Sequence, residues 1–164
     1  MTDVLGLIEK HRATGLFVDT NLLLLYLVGK TNKNRIANFK RTQQYTADDF
    51  ELLDRIMGLF KIRITTPHVL TELSNLGDLQ GSERAGFRSW FVRMIEDARE
   101  FYDESRIVVK ENSFPRLGLT DAAIAAVARH RFLFLTVDLD LYVTLAKRGV
   151  DAINFNHLRP LNWT

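Results

Sequence analysis

Cysteine is absent from the 164 residues, so disulfides and thiolate metal sites are excluded and nothing points to an oxidising compartment. Long hydrophobic runs are missing too: the longest, Leu22 to Val28, is far too short to span a bilayer. The first residues show no signal-peptide pattern, and no internal repeat, low-complexity tract or linker interrupts the chain. An excess of one charge is also lacking, since 22 Lys and Arg face 20 Asp and Glu, for a formal net charge of +2. The pI of about 9.0 therefore says little about partners by itself. What remains is one soluble, cytoplasmic domain over 1–164, with no membrane association. Its 46% hydrophobic residues are enough for a substantial core.

Within that frame the chain is organised around Gly15-Leu16-Phe17-Val18-Asp19-Thr20-Asn21 and the apolar run that follows it. A short apolar stretch ending on an acid, then a helix-length apolar stretch, reads as a buried parallel strand leading into a helix. Asp19 then stands at the carboxyl edge of a sheet, where sites of open α/β folds lie. Phe132 to Val137, followed by Asp138, repeats the pattern, and Leu139 to Arg148 followed by Val150 to Phe155 completes a βαβ unit. The expected fold is α/β: a parallel sheet of about five strands with helices on both faces, a Rossmann-like three-layer architecture with its core over 15–155.

The other segments fit this scheme. Residues 2–12 read as an amphipathic helix, with Thr2 as N-cap, Asp3 in the first turn, and Val4, Leu5, Leu7 and Ile8 covering the sheet. Gly29 is placed to end the second helix in a left-handed conformation. Thr46 to Asp49 is a capped helix start, and Phe50, Leu53, Met57 and Phe60 mark its apolar face. Lys61 to Thr65 is a short strand, and Thr66-Pro67 opens a helix closed by Gly77. Ser82 opens a helix reaching about Glu104, whose Phe87, Trp90, Phe91, Met94, Ala98, Phe101 and Tyr102 recur at helical spacing as a core stripe. Arg106 to Val109 reads as a strand, Asn112 to Pro115 as a loop, and Thr120 as the cap of an alanine-rich helix.

Charge is unevenly distributed. Lys30, Lys33, Arg35, Lys40 and Arg41 lie within 30–45 with no acid among them, amid Asn and Gln. This basic insert reads either as a solvated loop or as an arm that contacts phosphates. Arg84 and Arg88, one helical turn apart, meet either phosphate or solvent.

Asp19, Glu72, Asp121 and Asp138 form the informative set, with Asp140 close by. Singly, Asp19 and Asp138 are good helix N-caps, Asp121 complements a helix dipole, and Glu72 is a surface glutamate. Together at one edge they would repel, by about 1 kcal/mol per pair in water and ~4 near a protein surface. Such a cluster calls for a cation or a shared proton, and all-oxygen ligands favour Mg²⁺ or Mn²⁺. Spacing alone leaves their convergence open.

Four segments resemble the PIN domain, a fold found in many nucleases and toxins. They are Phe17-Val18-Asp19-Thr20-Asn21, Thr66-Pro67-His68-Val69-Leu70-Thr71-Glu72-Leu73, Leu117-Gly118-Leu119-Thr120-Asp121-Ala122-Ala123-Ile124 and Leu135-Thr136-Val137-Asp138, in the family's order. The resemblance implies that Asp19, Glu72, Asp121 and Asp138 are catalytic metal-binding carboxylates, with Asn21 and Thr136 supporting them; it leaves open the role of Asp140, which reads either as a further metal ligand or as a group supporting the ligands. It implies Mg²⁺- or Mn²⁺-dependent cleavage of RNA, by in-line attack of a metal-activated water. An antitoxin protein and a second copy of the chain are further partners it suggests. The long interval between Asp19 and Glu72, which contains the basic insert, departs from the compact toxin members. Two other functions compete: a nuclease of the same type acting on DNA, and a non-catalytic binding module that keeps the fold. A phosphotransferase with an aspartyl nucleophile ranks lower, because Asp19-Thr20-Asn21 lacks a second aspartate two residues on.

Overall fold

The structure, a computed structural model, describes residues 3–159. Five short strands form one parallel sheet: β1 (Leu16–Val18), β2 (Arg63–Thr65), β3 (Ala98–Glu100), β4 (Leu133–Thr136) and β5 (Ala152–Asn154), in spatial order β3-β2-β1-β4-β5. Phe17 stands opposite Phe134 in the register of β1 with β4, and the two rings stack 5.2 Å apart. β1 and β4 are buried along their whole length, as expected of strands covered on both faces.

The helices are α1 (Val4–His11), α2 (Thr20–Thr31), α3 (Ala47–Gly58), α4 (Pro67–Leu76), α5 (Gly81–Asp97), α6 (Ser105–Val108), α7 (Phe114–Val127) and α8 (Leu139–Lys147). From β1 the chain moves outward through β2 to β3, then returns past β1 to β4 and β5. Right-handed crossovers then put α2 to α5 on one face and α6 to α8 on the other. Most contacts follow that division, α2 packing with α3, α4 and α5 and α7 with α6 and α8, while α4 and α7 also meet each other. The strand order reverses between β1 and β4, and such a switch point opens a crevice at the carboxyl ends of the strands. Among the described residues no helix is long and apolar enough to cross a membrane.

Several local expectations are corrected. Helix α5 ends at Asp97, and Ala98–Glu100 pairs with β2 as the edge strand, with Phe101 N–H donating to the Thr65 carbonyl at 2.9 Å. The helical period through Ala98 and Phe101 is overridden because β2 would otherwise lack a partner on that side. Phe101 still packs against the core, while Tyr102 is exposed. Ile107 and Val108, expected in a strand, lie in the single turn α6, and Phe114-Pro115, expected in a loop, begin α7. Gly118 (φ 79°) breaks α7 into two helical segments, and Thr120 stands at the start of the second, close to the expected position.

Gly29 does not end α2. The helix continues to Thr31, and a Cβ at Gly29 would sit 2.2 Å from the Phe50 ring, so this glycine admits the α3 aromatic against the α2 backbone. Gly149, at φ 71°, does follow the end of α8 in the left-handed region. Asp3, not Thr2, caps α1 by accepting from Gly6 N–H at 3.0 Å; Thr2 lies outside the described residues. Ile8 of α1 is buried, whereas Leu5 faces solvent. The Thr46–Asp49 start of α3 is a full capping box.

Candidate active site at the carboxyl edge of the sheet

Asp19 follows β1 and Asp138 follows β4, so the two flank the switch point between adjacent strands. Each is also a helix N-cap. Asp19 accepts from Leu22 N–H at 3.0 Å and Asp138 from Leu141 N–H at 2.9 Å. Capping and site membership are therefore compatible rather than alternative. Asp19 is almost fully buried, and its second oxygen accepts from the Thr136 hydroxyl at 2.5 Å and from Val137 N–H at 2.8 Å. An ionised carboxylate has about four acceptor positions. With three hydrogen bonds, Asp19 is fixed in orientation and keeps room for a further partner.

Thr136 ties the two acids together. Its hydroxyl donates to Asp19 and accepts from Asp138 N–H at 2.9 Å. Its place two residues before Asp138, at the end of β4, puts this short hydroxyl between the two strand ends.

Glu72 reaches the site from α4 and Asp121 from α7. The Thr120 hydroxyl donates to Glu72 Oε2 at 2.6 Å, bridging the two helices. Asp121 is partly buried, and its carboxyl is pushed up to about 7, first by burial, then by the charges of Asp138, Asp19 and Glu72. Four carboxylates from four segments thus lie within electrostatic reach of one another. Burial also raises Asp19, against the lowering effect of its hydrogen bonds, and the charge of Asp138 adds to the rise.

The acids are near one another without being drawn into a closed cage: among the described residues no group of three or more His, Asp or Glu side chains is arranged to hold a metal ion. The donor set nonetheless fits a hard divalent cation in chemistry. Every donor is a carboxylate oxygen, and each charge acting on Asp121 is that of another carboxylate, so a bound cation would offset both the burial and the repulsion that raise Asp121. Asp19, Glu72, Asp121 and Asp138 are the residues that would hold it.

The remaining candidates are placed less centrally. Asp140 is exposed and lies 3.5 Å from Arg116, and Asp121 is not shifted by its charge. Asn21 is exposed at the start of α2. The basic insert contains a short 3₁₀ turn, Lys33–Asn38, and most of its cations have acidic partners. Lys30 pairs with Asp54 at 3.0 Å, Lys33 with Glu51, Arg35 with Glu83 through a fork of 2.6 and 2.9 Å, and Arg41 with Asp78 at 3.6 Å. Lys40 is exposed. Arg84 donates to the Leu79 carbonyl at 3.2 Å, and Arg88 is exposed on α5.

Two residues join the site that the sequence did not single out. Thr120, expected only as a cap, stands directly before Asp121, and that adjacency is the signal the sequence offers. Tyr45, the last residue of the basic insert, is buried, and its phenol is pushed up to about 12, by burial first and by the Asp19 carboxylate second. No local pattern marks Tyr45, because only the packing of the insert carries it to the sheet edge. Next to the acids, a cleft of about 390 Å³ is lined by Pro67, His68, Thr71, Glu72, Asn75, Leu119 and Thr120. Compared with known proteins, the chain matches no family model and no curated protein.

Proposed function

We propose that the chain is a metal-dependent endoribonuclease of PIN type, hydrolysing RNA phosphodiester bonds with Mg²⁺ or Mn²⁺. One observation carries the reading: Asp121 is lifted to about 7 by burial together with three other carboxylates, at the edge where the strand order reverses. Folding gains nothing from such a concentration of like charge, whereas a hydrolase that binds a cation and a phosphodiester requires it. Asp19, held by Thr136, Val137 and Leu22, supplies a preorganised oxygen. Glu72, oriented by Thr120, supplies another from the opposite wall, and Asp138 a third beside Asp19. Asp121, raised to about 7 by burial and by the other carboxylates, is the acid whose ionised form a bound cation would favour. When bound, Mg²⁺ or Mn²⁺ supplies activation of water and neutralisation of phosphoryl charge. The cleft beside Glu72 offers substrate a wall of mixed polar and apolar character. An antitoxin and a homodimer are partners this reading admits, and the acidic edge does not by itself distinguish RNA from DNA.

The test is cleavage of single-stranded and structured RNA, with matched DNA, in Mn²⁺, in chelator and with Asp19→Asn. Cleavage of RNA that disappears on chelation and in the variant supports the proposal. Intact RNA throughout, with folded protein, sinks it, and preference for DNA moves the assignment to a DNA-acting nuclease. The acids' lack of a closed cage favours a second reading, a non-catalytic binding module with this fold. Calorimetry separates the two, since that module would not bind Mn²⁺ at pH 7.

A further inference from the structure

Helix α4 carries His68, Glu72 and Asn75 at steps of four and three residues, so the three lie along one face of the helix. That face borders the cleft of about 390 Å³, whose other wall is Leu119 and Thr120 of α7. Glu72, held by the Thr120 hydroxyl at 2.6 Å, bridges the two walls. The cleft therefore opens directly beside one of the four carboxylates.

Its polar groups are unspent. Neither ring nitrogen of His68 has a hydrogen-bond partner among the described residues, and Nδ1 is buried. A buried polar atom left without a partner costs free energy and calls for an explanation. A half-turn about the Cβ–Cγ bond exchanges the places of Nδ1 and Cδ2, and this torsion has two roughly equal wells. The ring thus gives up no hydrogen bond by turning a nitrogen towards a group that enters the cleft. Asn75 is exposed, and its amide is likewise unpartnered among the described residues. The apolar part of the lining is accessible too. Leu119, beside the break at Gly118, is 39% exposed, and Pro67 is half-buried.

We propose that this cleft is a base pocket: it takes the nucleobase of one unpaired nucleotide next to the scissile phosphodiester and so gives cleavage a base preference. This rests on the reading of the four acids as a phosphodiester-hydrolysing site. A phosphodiester held at the acids has its neighbouring nucleotide at the mouth of the cleft, because Glu72 belongs to both. Unpaired bases are recognised by contact with their faces and by hydrogen bonds to their edges. Leu119 and Pro67 supply the first, His68 and Asn75 the second. An amide presents a donor and an acceptor in one plane, which matches the edge of a base. The volume lies at the low end of small-molecule sites, roughly 300–1,000 Å³, as one nucleotide requires.

Two measurements on the full chain test this separately from the nuclease reading. The first is fluorescence anisotropy of labelled trinucleotides of A, C, G and U in Ca²⁺, a hard cation that neutralises the acids. One base should bind at least about fivefold more tightly than the weakest, the effect of one net hydrogen bond. Asn75→Ala and His68→Ala should each reduce that preference by about fivefold. Asn75→Ala should leave the melting temperature unchanged, since the residue is exposed. Absence of binding, equal binding of all four bases, or a preference that both variants keep overturns the pocket. The second measurement is cleavage of random-sequence RNA in Mn²⁺, reading the base beside each cut. The base preferred in binding should stand there, and a different base overturns the pocket's place next to the scissile bond. No cleavage, with the binding preference present and lost in the variants, overturns the nuclease reading and keeps the pocket.

Discussion

At the carboxyl edge of the sheet, Asp121 meets Asp138, Asp19 and Glu72, and each charge that shifts it has the same sign as its own. At the amino edge, Asp151 meets Lys10 at 2.6 Å and His11 at 2.8 Å, and Glu111 meets Arg148 at 2.8 Å. The same residue types serve two purposes. Paired acids tie α1 to the start of β5 and the loop before α7 to the end of α8. Acids facing other acids raise the energy of the ionised fold and call for a counter-charge, which under the proposed function is a divalent cation. Charge compensation, rather than the number of acids, separates scaffold from candidate site in this chain.

The sharpest way to break that comparison is at Asp19. In the RNA assay Asp19→Asn should reduce cleavage by roughly a thousandfold, equivalent to ~4 kcal/mol in the barrier, with the circular dichroism spectrum unchanged. Thr136→Val is expected to come next. It removes the donor to Asp19 and the acceptor for Asp138 N–H, and should lower activity by about 10–100-fold. The same change should reduce stability by about 1–2 kcal/mol in chemical denaturation, since the buried Asp19 carboxylate loses a donor and the part-buried Asp138 N–H its acceptor.

The two edges should also respond to pH in opposite directions. The Asp121 carboxyl, raised in the fold, stabilises fully below its ordinary value of 3.8 and loses that contribution as pH rises through about 7. In chelator at pH 8, Asp121→Asn should therefore be more stable than the unmodified chain, by about 1–2 kcal/mol after allowance for solvent screening, and the difference should vanish near pH 4. Excess Mn²⁺ should reverse the order by binding the native site. A variant that is not stabilised at pH 8 would mean that neither burial nor the neighbouring acids penalise the ionised Asp121 carboxyl. Asp151 behaves conversely. The hydrogen bond from His11, followed by that from Lys10, holds its carboxyl below the usual range, so its contribution is present above the ordinary value and fades as pH falls through the lowered one. Because this pair is near the surface, Asp151→Asn should cost less than about 1 kcal/mol at pH 7 in denaturant melts.

Much of this was legible in the chain before folding. The strand–acid–helix pattern around Asp19 and Asp138 is local, and both acids stand at the predicted edge. The capping box at Thr46 and Asp49 needs three intervening bonds of chain and nothing else. The basic insert was less legible, because its carboxylate partners Asp54, Glu51, Glu83 and Asp78 come from α3, α5 and the loop before α5. The left-handed backbone at Arg131 carried no signal at all, since a dihedral of 59° is not written in a residue type that ordinarily avoids it.

The sequence by itself determined that β1 and β4 are buried, that each delivers an aspartate to a helix start, and that the fold is α/β with a parallel sheet. These follow from apolar periodicity and hydrogen-bonding chemistry over a few neighbouring residues. Only the tertiary structure decided that Ala98–Glu100 is a strand, that Gly29 admits Phe50 rather than ending a helix, and that Thr120 and Tyr45 stand beside the acids. The reason is common to all of them. Strand pairing, close helix contact and the summed field of distant carboxylates depend on partners far away in the chain, and short-range preference yields when such partners satisfy a buried group or fill a buried space.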